Sequence, residues 1–377
     1  MQREPALDPQ KLAAIRAPFD RLGGARIEAS VLQPLSLLID LAGESLRARL
    51  FVVQADGAEE MALRPDFTIP VVETHIASQA VSGLYRYEGA AFLLAELGSD
   101  QPSEFLQIGA ERFGVSDDPL DDDAALAALA FEAASAGGRQ DLELRLGDPA
   151  LFAGFVEALG VAPPTAARLV RAFRSQRALQ HELTPDRQPT TAGEGSDLSD
   201  ILAKMSETDA ARLLGEVWRL SGVQPVGGRT AEDIIHRLAL RAEAARAPSL
   251  TADQSDLLRR FLQLSDRPGR VLDAIAGLAK EAGAELDLLL ETWAKRLAKL
   301  EARLTPEWGG VHLATAFVRP FGYYDGMVFD VESRALGPDL PVAAGGRYDA
   351  LVSRLGGQPG AVGCMVRPGR AILGLRP

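Results

Sequence analysis

The chain has 377 residues, with 40 Lys and Arg against 52 Asp and Glu, so its net charge is −12. That length exceeds what one core usually fills and implies about two to three units of roughly 150 residues each. The acidic balance argues against a nucleic-acid partner held mainly by charge, and the single Cys364 excludes an intramolecular disulfide and any multi-cysteine metal site.

The opening MQREPALDPQ is polar and broken by two prolines, so no signal peptide is expected. No apolar run reaches the length of a membrane span, and the cytoplasm is the expected location. LFVVQAD (50–56), GLYRYEGAAFLL (83–94) and EFLQIGAERFG (104–114) are short apolar runs bounded by Gly, Pro and Asp, which predicts strands. Residues 117–138 open on acidic side chains and close on Gly137-Gly138, as a helix does. DLELRLG (141–147) alternates like a strand, and Asp148-Pro149 then starts a helix with Leu151, Phe152, Phe155, Val156 and Leu159 on one face, stopped by Gly160.

From 161 to 304 the chain is rich in Ala and Leu at helical spacing, and Thr230 with Asp233 reads as a capping box. The polar stretch 184–197 is expected to be disordered. Strand character returns at 311–320, 323–333 and 343–366. The expected architecture is therefore α+β: a core from residues 1–160 and 305–377, interrupted by a mainly helical insertion over 161–304.

His75, His181, His236 and His312 lie far apart in sequence with no His-Glu-x-x-His spacing, so neither a metal nor a metal cofactor is expected. Phosphate-loop, dinucleotide and Gly-x-Ser-x-Gly templates are all missing. Arg168, Arg171, Arg174 and Arg177 recur every three residues, and read better as a solvated helix face than as a phosphate stripe.

Three stretches carry more. ALRPDFTIPVV (62–72) sets Asp66 two residues before Thr68. QIGAE (107–111) puts Gln107, Gly109 and Glu111 on one side of a strand, with Gly109 expected to leave room for a ligand. VRPFGYYDGMVFD (318–330) and AGGRYDALV (344–352) bring Arg319, Tyr323, Tyr324, Arg347 and Tyr348 onto C-terminal strands. Together they describe a polar, aromatic pocket. Asp66 and Glu111 suit an ammonium group, Gln107 a polar heteroatom and the tyrosines a flat ring.

At these residues the sequence resembles the catalytic domain of histidyl-tRNA synthetase, a class II synthetase, over roughly 10–160 and 305–373. ALRPDFT is similar to Leu-Arg-Pro-Glu-Gly-Thr, QIGAERFG to Gln-Leu-Gly-x-Glu-x-Phe-Gly, and AGGRYDALV to Ala-Gly-Gly-Arg-Tyr-Asp-Gly-Leu-Val. The resemblance implies a class II antiparallel sheet flanked by helices. It also implies a histidine pocket from Asp66, Thr68, Gln107, Glu111, Arg319, Tyr323, Tyr324, Arg347 and Tyr348.

Two departures stand out. Where the family has a motif 2 arginine for the ATP α-phosphate, this chain has Leu93, and motif 3, roughly Gly-x-Glu-Arg, reads Arg367-Pro368-Gly369-Arg370. Leu93 cannot stabilise the charge that develops during adenylate formation, so the ATP site reads as lost and no catalytic residue is assigned. The chain also ends at Pro377, where an anticodon-binding domain is expected to be missing.

This combination resembles the synthetase paralogues that serve as regulatory subunits of ATP phosphoribosyltransferase. It implies a non-catalytic chain that dimerises, assembles with a short-form catalytic subunit (an octamer of four and four) and carries feedback inhibition by L-histidine in the first step of histidine biosynthesis. No cofactor, nucleic acid or membrane partner is implied. The alternative is an adenylate-forming ligase for a histidine-like amino acid without tRNA, against which Leu93 and Gly369 count.

Overall fold

The computed structural model describes residues 4–42, 44–54, 56–57, 59–95, 99, 101–184, 205–221, 231, 235, 248–305 and 307–372. Thr230, Asp233, His236 and residues 185–197 lie outside them. The described residues fall into two compact units. One draws on Met1–Phe152, Leu262–Glu281 and Glu285–Pro377, the other on Ala153–Phe261 and Ala282–Ala284.

In the first unit α1 (Pro9–Leu22) begins where Asp8 accepts from the amides of Gln10 and Lys11 at 2.8 and 3.3 Å. Those amides have no partner inside the helix, and Pro9 has none to satisfy. The segment continues through β1 (Ala25–Arg26), β2 (Leu32–Pro34), α2 (Leu35–Ala42), β3 (Val52–Val53), β4 (Met61–Leu63) and α3 (Thr68–Ala77). Two long strands follow, β5 (Gly83–Phe92) and β6 (Glu104–Phe113), then α4 (Pro119–Ser135) and β7 (Leu142–Gly147). Asp118 caps α4 through the Asp121 amide at 3.1 Å, and Asp121 and Asp122 complement the positive end of the helix.

At the next helix, α5 (Pro149–Ala158), Asp148 accepts from the Ala150 amide at 2.8 Å, and Leu151, Phe152, Phe155 and Val156 are buried. Gly160 takes φ +63°, where an L side chain is strained, just past its end. The second unit is built on α6 (Pro163–Ala172), α7 (Gln176–Glu182), α8 (Glu207–Ser221) and most of α9 (Ala252–Leu262). Within it Phe155 and Phe261 stack at 4.6 Å, and Ser255 and Arg259 both donate to the Leu183 carbonyl at the end of α7. Arg168, from the arginine series, pairs with Glu182 at 3.0 Å with both side chains largely buried, so this member holds α6 to α7.

The chain returns to the first unit through β8 (Ser265–Asp266), α10 (Pro268–Ala282), α11 (Asp287–Leu304), β9 (Val311–Ala314), β10 (Val328–Ser333), β11 (Ala343–Arg347), α12 (Asp349–Arg354), β12 (Ala361–Val366) and α13 (Pro368–Ala371). Nine strands form one sheet in the order β1-β5-β6-β12-β11-β10-β7-β9-β8, antiparallel except for the pairs β1–β5 and β7–β9. A small sheet, β2-β4-β3, stands apart. Ala124, Ala127, Ala130, Ala133 and Ala134 of α4 are buried, and the small side chains let this helix lie close against β10, β11 and β12.

Several strand expectations come out shorter. β9 ends at Ala314 and β10 begins at Val328, so Arg319, Tyr323 and Tyr324 lie on the connection between them. The Phe317 amide bonds the Ala314 carbonyl in a turn, and Pro320 has no N–H to give a ladder. Among the described residues of 50–56, Val52 and Val53 alone are in a strand.

α4 is bolted to its neighbours by charge. Asp123 is fully buried (0% exposed), with Arg296 Nε of α11 at 3.0 Å and Arg347 Nε of β11 at 2.9 Å. Removing one member of a buried ion pair leaves an uncompensated charge and costs about 3–5 kcal/mol. Asp123→Ala is expected to lose that order of stability in urea unfolding. A loss under about 1 kcal/mol would mean that the two arginines find other partners.

Candidate functional site

Period-two alternation along β6 turns Gln107, Gly109 and Glu111 to one face of the sheet. The register with β5 sets Gly89 opposite Gln107 and Tyr87 opposite Gly109, and the register with β12 sets Gly363 opposite Glu111. Glu111 is 1% exposed. Its carboxylate accepts from Tyr348 Oη at 2.5 Å, Thr68 Oγ1 at 3.0 Å and Tyr87 Oη at 3.4 Å. Thr68 is the first residue of α3 and Tyr348 immediately precedes α12, so one carboxylate ties two helices to two strands. A Cβ at position 363 would overlap Glu111 Oε2, so glycine alone fits there.

Those donors are neutral. Burial pushes the Glu111 carboxyl up to about 8, against the lowering effect of the Tyr348, Thr68 and Tyr87 hydroxyls, and Asp66 raises it further by repulsion. Asp66, also buried, accepts from Tyr323 Oη at 2.7 Å. Burial raises its carboxyl too, while Tyr323, Arg319 and the amides of Thr68 and Ile69 lower it.

Around the two carboxylates stand aromatic rings. Phe67 stacks on Tyr87 at 4.4 Å, Tyr323 packs on Tyr324 at 4.6 Å, and both tyrosines meet Tyr348 edge-on at 6.0 and 6.2 Å. Arg319 pairs with the buried Asp330 and lies 5.7 Å from the Tyr324 ring, but its Nε has no hydrogen-bond partner. Gln107 Oε1 is likewise buried without one. Buried polar atoms are ordinarily paired, so these two mark a surface suited to a ligand's polar groups.

The structure therefore brings Asp66, Thr68, Gln107, Glu111, Arg319, Tyr323, Tyr324 and Tyr348 together through shared hydrogen bonds, ring contacts and a common sheet face. Arg347 is the correction. Gly346 pairs with Gly363 on the Glu111 face, so the next residue of β11 points to the other face. There its guanidinium holds Asp123, Asp349 at 3.3 Å and the Pro119 carbonyl at 3.0 Å. Gly109 also differs from expectation, because a Cβ there would collide with the Tyr87 ring and the Cys364 carbonyl. It makes room for Tyr87, not for a ligand.

Leu93 follows β5 and packs on the apolar core. Arg367 and Gly369 lie at α13, and a Cβ at Gly369 would overlap the carboxylate of Glu4. Sequence reasoning passed over Tyr87, although its position in β5 opposite Gly109 carries a period-two signal, and it passed over Asp330, Asp123 and Glu4. A separate open groove of about 430 Å³ is lined by Glu143, Arg145, His312, Glu332 and Arg334, with its charges paired as Arg145–Glu332 and Arg334–Glu143. Among the described residues no group of three or more His, Cys, Asp or Glu is placed to hold a metal, and no helix is long and apolar enough to cross a membrane.

The model of the histidyl-tRNA synthetase family matches residues 10–212 and 210–370. An ATP phosphoribosyltransferase regulatory subunit from Brucella anthropi is 30% identical over 347 residues, covering 91% of this chain and 90% of its own, and one from Brucella ovis matches to the same extent. The chain belongs to the ATP phosphoribosyltransferase regulatory subunit family, a paralogous branch of the histidyl-tRNA synthetases.

Solved structures agree on the fold. A regulatory subunit/histidyl-tRNA synthetase from Bacillus halodurans aligns with a TM-score of 0.66 at 17% identity, covering 100% of this chain and 82% of that one. A histidyl-tRNA synthetase from Nostoc aligns at 0.60 and 19% identity, covering 98% and 73%. For this member of the regulatory-subunit family the mixed sheet and flanking helices are thus the class II synthetase architecture.

Glu111→Gln keeps the side chain's size and removes its titration. The folded-state carboxyl is raised, so its contribution is fully present below its unfolded value of about 4.5 and is lost as pH rises through about 8. Urea unfolding at a series of pH values is expected to show wild type losing stability relative to Glu111→Gln between about pH 5 and pH 8.5. A difference independent of pH would contradict the buried, hydroxyl-bonded carboxylate.

Proposed function

We propose that the chain is the non-catalytic regulatory subunit of an ATP phosphoribosyltransferase, and that the Glu111 face binds L-histidine as a feedback inhibitor. The carrying observation is the buried pair Asp66 and Glu111, which accept hydrogen bonds from the hydroxyls of Tyr323, Tyr348, Thr68 and Tyr87. Two desolvated carboxylates favour a cation between them. A zwitterion with a flat ring meets the rest: its ammonium at Asp66 or Glu111, its carboxylate toward Arg319 Nε, its ring among Tyr323, Tyr324 and Tyr348, and a ring nitrogen toward Gln107.

Inhibition then follows from linkage. Histidine shifts the complex only as far as it prefers one state over the other, and typical coupling energies are about 1–3 kcal/mol. The partner is a short-form catalytic subunit, in an assembly of four chains of each kind with this chain dimeric, and the step served is the first of histidine biosynthesis. The relatives' printed names support the regulatory role. Residues 1–160 and 305–377 are read as the synthetase-like core and 161–304 as its insertion. Leu93 at the phosphate-arginine position supports a chain that makes no adenylate.

Calorimetric titration with L-histidine tests the site. Asp66→Ala and Gln107→Ala are each expected to weaken binding at least tenfold, about 1.4 kcal/mol. Absence of binding by wild type would remove the effector site from this face. Histidine-dependent ATP–pyrophosphate exchange by the purified chain would replace the regulatory reading with the ligase.

A further inference from the structure

Tyr348 occupies the position just before α12, where a short polar side chain ordinarily caps a helix, and its hydroxyl goes to Glu111 instead. The first amides of α12 therefore need an acceptor from elsewhere. Asp325 supplies it from 24 residues upstream: its Oδ1 accepts from the Asp349 amide at 3.0 Å and its Oδ2 from the Ala350 amide at 2.6 Å. Negative charge also suits that end of the helix. The backbone completes a clamp, because the Asp325 amide donates to the Arg347 carbonyl at 3.2 Å and the Arg347 amide donates to the Met327 carbonyl at 2.9 Å.

This clamp joins the tyrosines of the Glu111 face. Asp325 follows directly on Tyr323 and Tyr324, and the residues it binds, Arg347, Asp349 and Ala350, enclose Tyr348. Tyr323 donates to Asp66 and Tyr348 to Glu111, so one side chain fixes the spacing of donors to both buried carboxylates. Tyr323 and Tyr324 meet Tyr348 edge-on at 6.0 and 6.2 Å, contacts that tolerate sliding, whereas two hydrogen bonds to one carboxylate do not. Charge is unfavourable at this place in itself. Burial and repulsion from Asp349 raise the Asp325 carboxyl, against the lowering effect of the Ala350 and Asp349 amides.

We propose that Asp325 is a positioning residue for the histidine face: it holds the Tyr323–Tyr324 turn and Tyr348 as one fixed wall, so that the ring of the amino acid meets preformed contacts. The assignment rests on the reading of that face as the histidine site. Aromatic side chains ordered in advance lose less freedom when the ligand arrives, and that difference appears as affinity. Asp325 acts through the tyrosines, not by contact with the ligand.

Calorimetric titration of the full chain with L-histidine tests this. Asp8→Ala is the control, since Asp8 caps α1 through two amides on an element that carries no residue of the histidine face. Asp325→Ala is expected to bind histidine about fivefold or more weaker than wild type, and Asp8→Ala within about twofold of it. Asp325→Asn, which keeps one acceptor oxygen, is expected to fall between. A second readout needs no ligand. The Tyr348 hydroxyl lowers the Glu111 carboxyl, so loosening Tyr348 raises it. The infrared carboxyl band that disappears in Glu111→Gln is expected to titrate about half a pH unit or more higher in Asp325→Ala than in wild type. If Asp325→Ala does not fold, Asp325→Asn decides both measurements, with smaller changes in the same direction. If wild type binds no histidine, the reading of the face fails and the Glu111 band alone decides whether Asp325 positions Tyr348. Histidine binding by Asp325→Ala equal to wild type, an unmoved Glu111 band, or equal weakening by Asp8→Ala overturns the assignment.

Discussion

Glu111 is a carboxylate set into the middle of a nine-stranded sheet, and much of the surrounding structure is arranged to keep it there. Position 363 must be glycine because a side chain would overlap it. The β5–β6–β12 register must bring Tyr87 and Gly363 alongside, and α3 and α12 must start where Thr68 and Tyr348 can donate to it. A buried carboxylate without a cation is costly, and hydroxyl donors offset only part of its lost hydration. A chain that needed only stability at this point would place an apolar residue there. The ligand proposed for this face supplies the missing charge.

The two faces of β11 make the same point by contrast. Behind the sheet, charges are fully matched: Asp123 sits between Arg296 and Arg347, and Asp148 takes the Trp293 indole N–H at 3.1 Å with Arg296 at 3.8 Å. In front, Gln107 and Arg319 keep buried atoms without partners. Matched burial is architecture. Unmatched burial on the opposite face is the surface proposed to bind histidine, acidic at Asp66 and Glu111.

How much of this was legible depended on range. α4, α5 and β7 follow from local patterns, a capping Asp with a Pro at the helix start and strict alternation, and they lie where the sequence places them. Gln107 and Glu111 share a face because alternation is a local property of one strand. Arg347 went to the wrong face in the sequence reading, because alternation does not say which face of β11 meets β12's Gly363. Arg319, Tyr323 and Tyr324 belong to a connection punctuated by Pro320, Gly322 and Gly326, not to a strand. Glu4 was invisible: it acts 102 residues away at Leu106, and no local signal announces such a contact.

The central claim is that this chain controls a catalytic partner through its histidine face. The direct measurement is the phosphoribosyltransferase rate of a purified short-form catalytic subunit with this chain added, with and without L-histidine, using wild type and Gln107→Ala. The account predicts that wild type co-purifies with the partner and raises its rate, that histidine lowers that rate, and that Gln107→Ala still activates but responds to histidine only at much higher concentration. A chain that neither associates with the partner nor changes its rate, or a variant inhibited as readily as wild type, would contradict it.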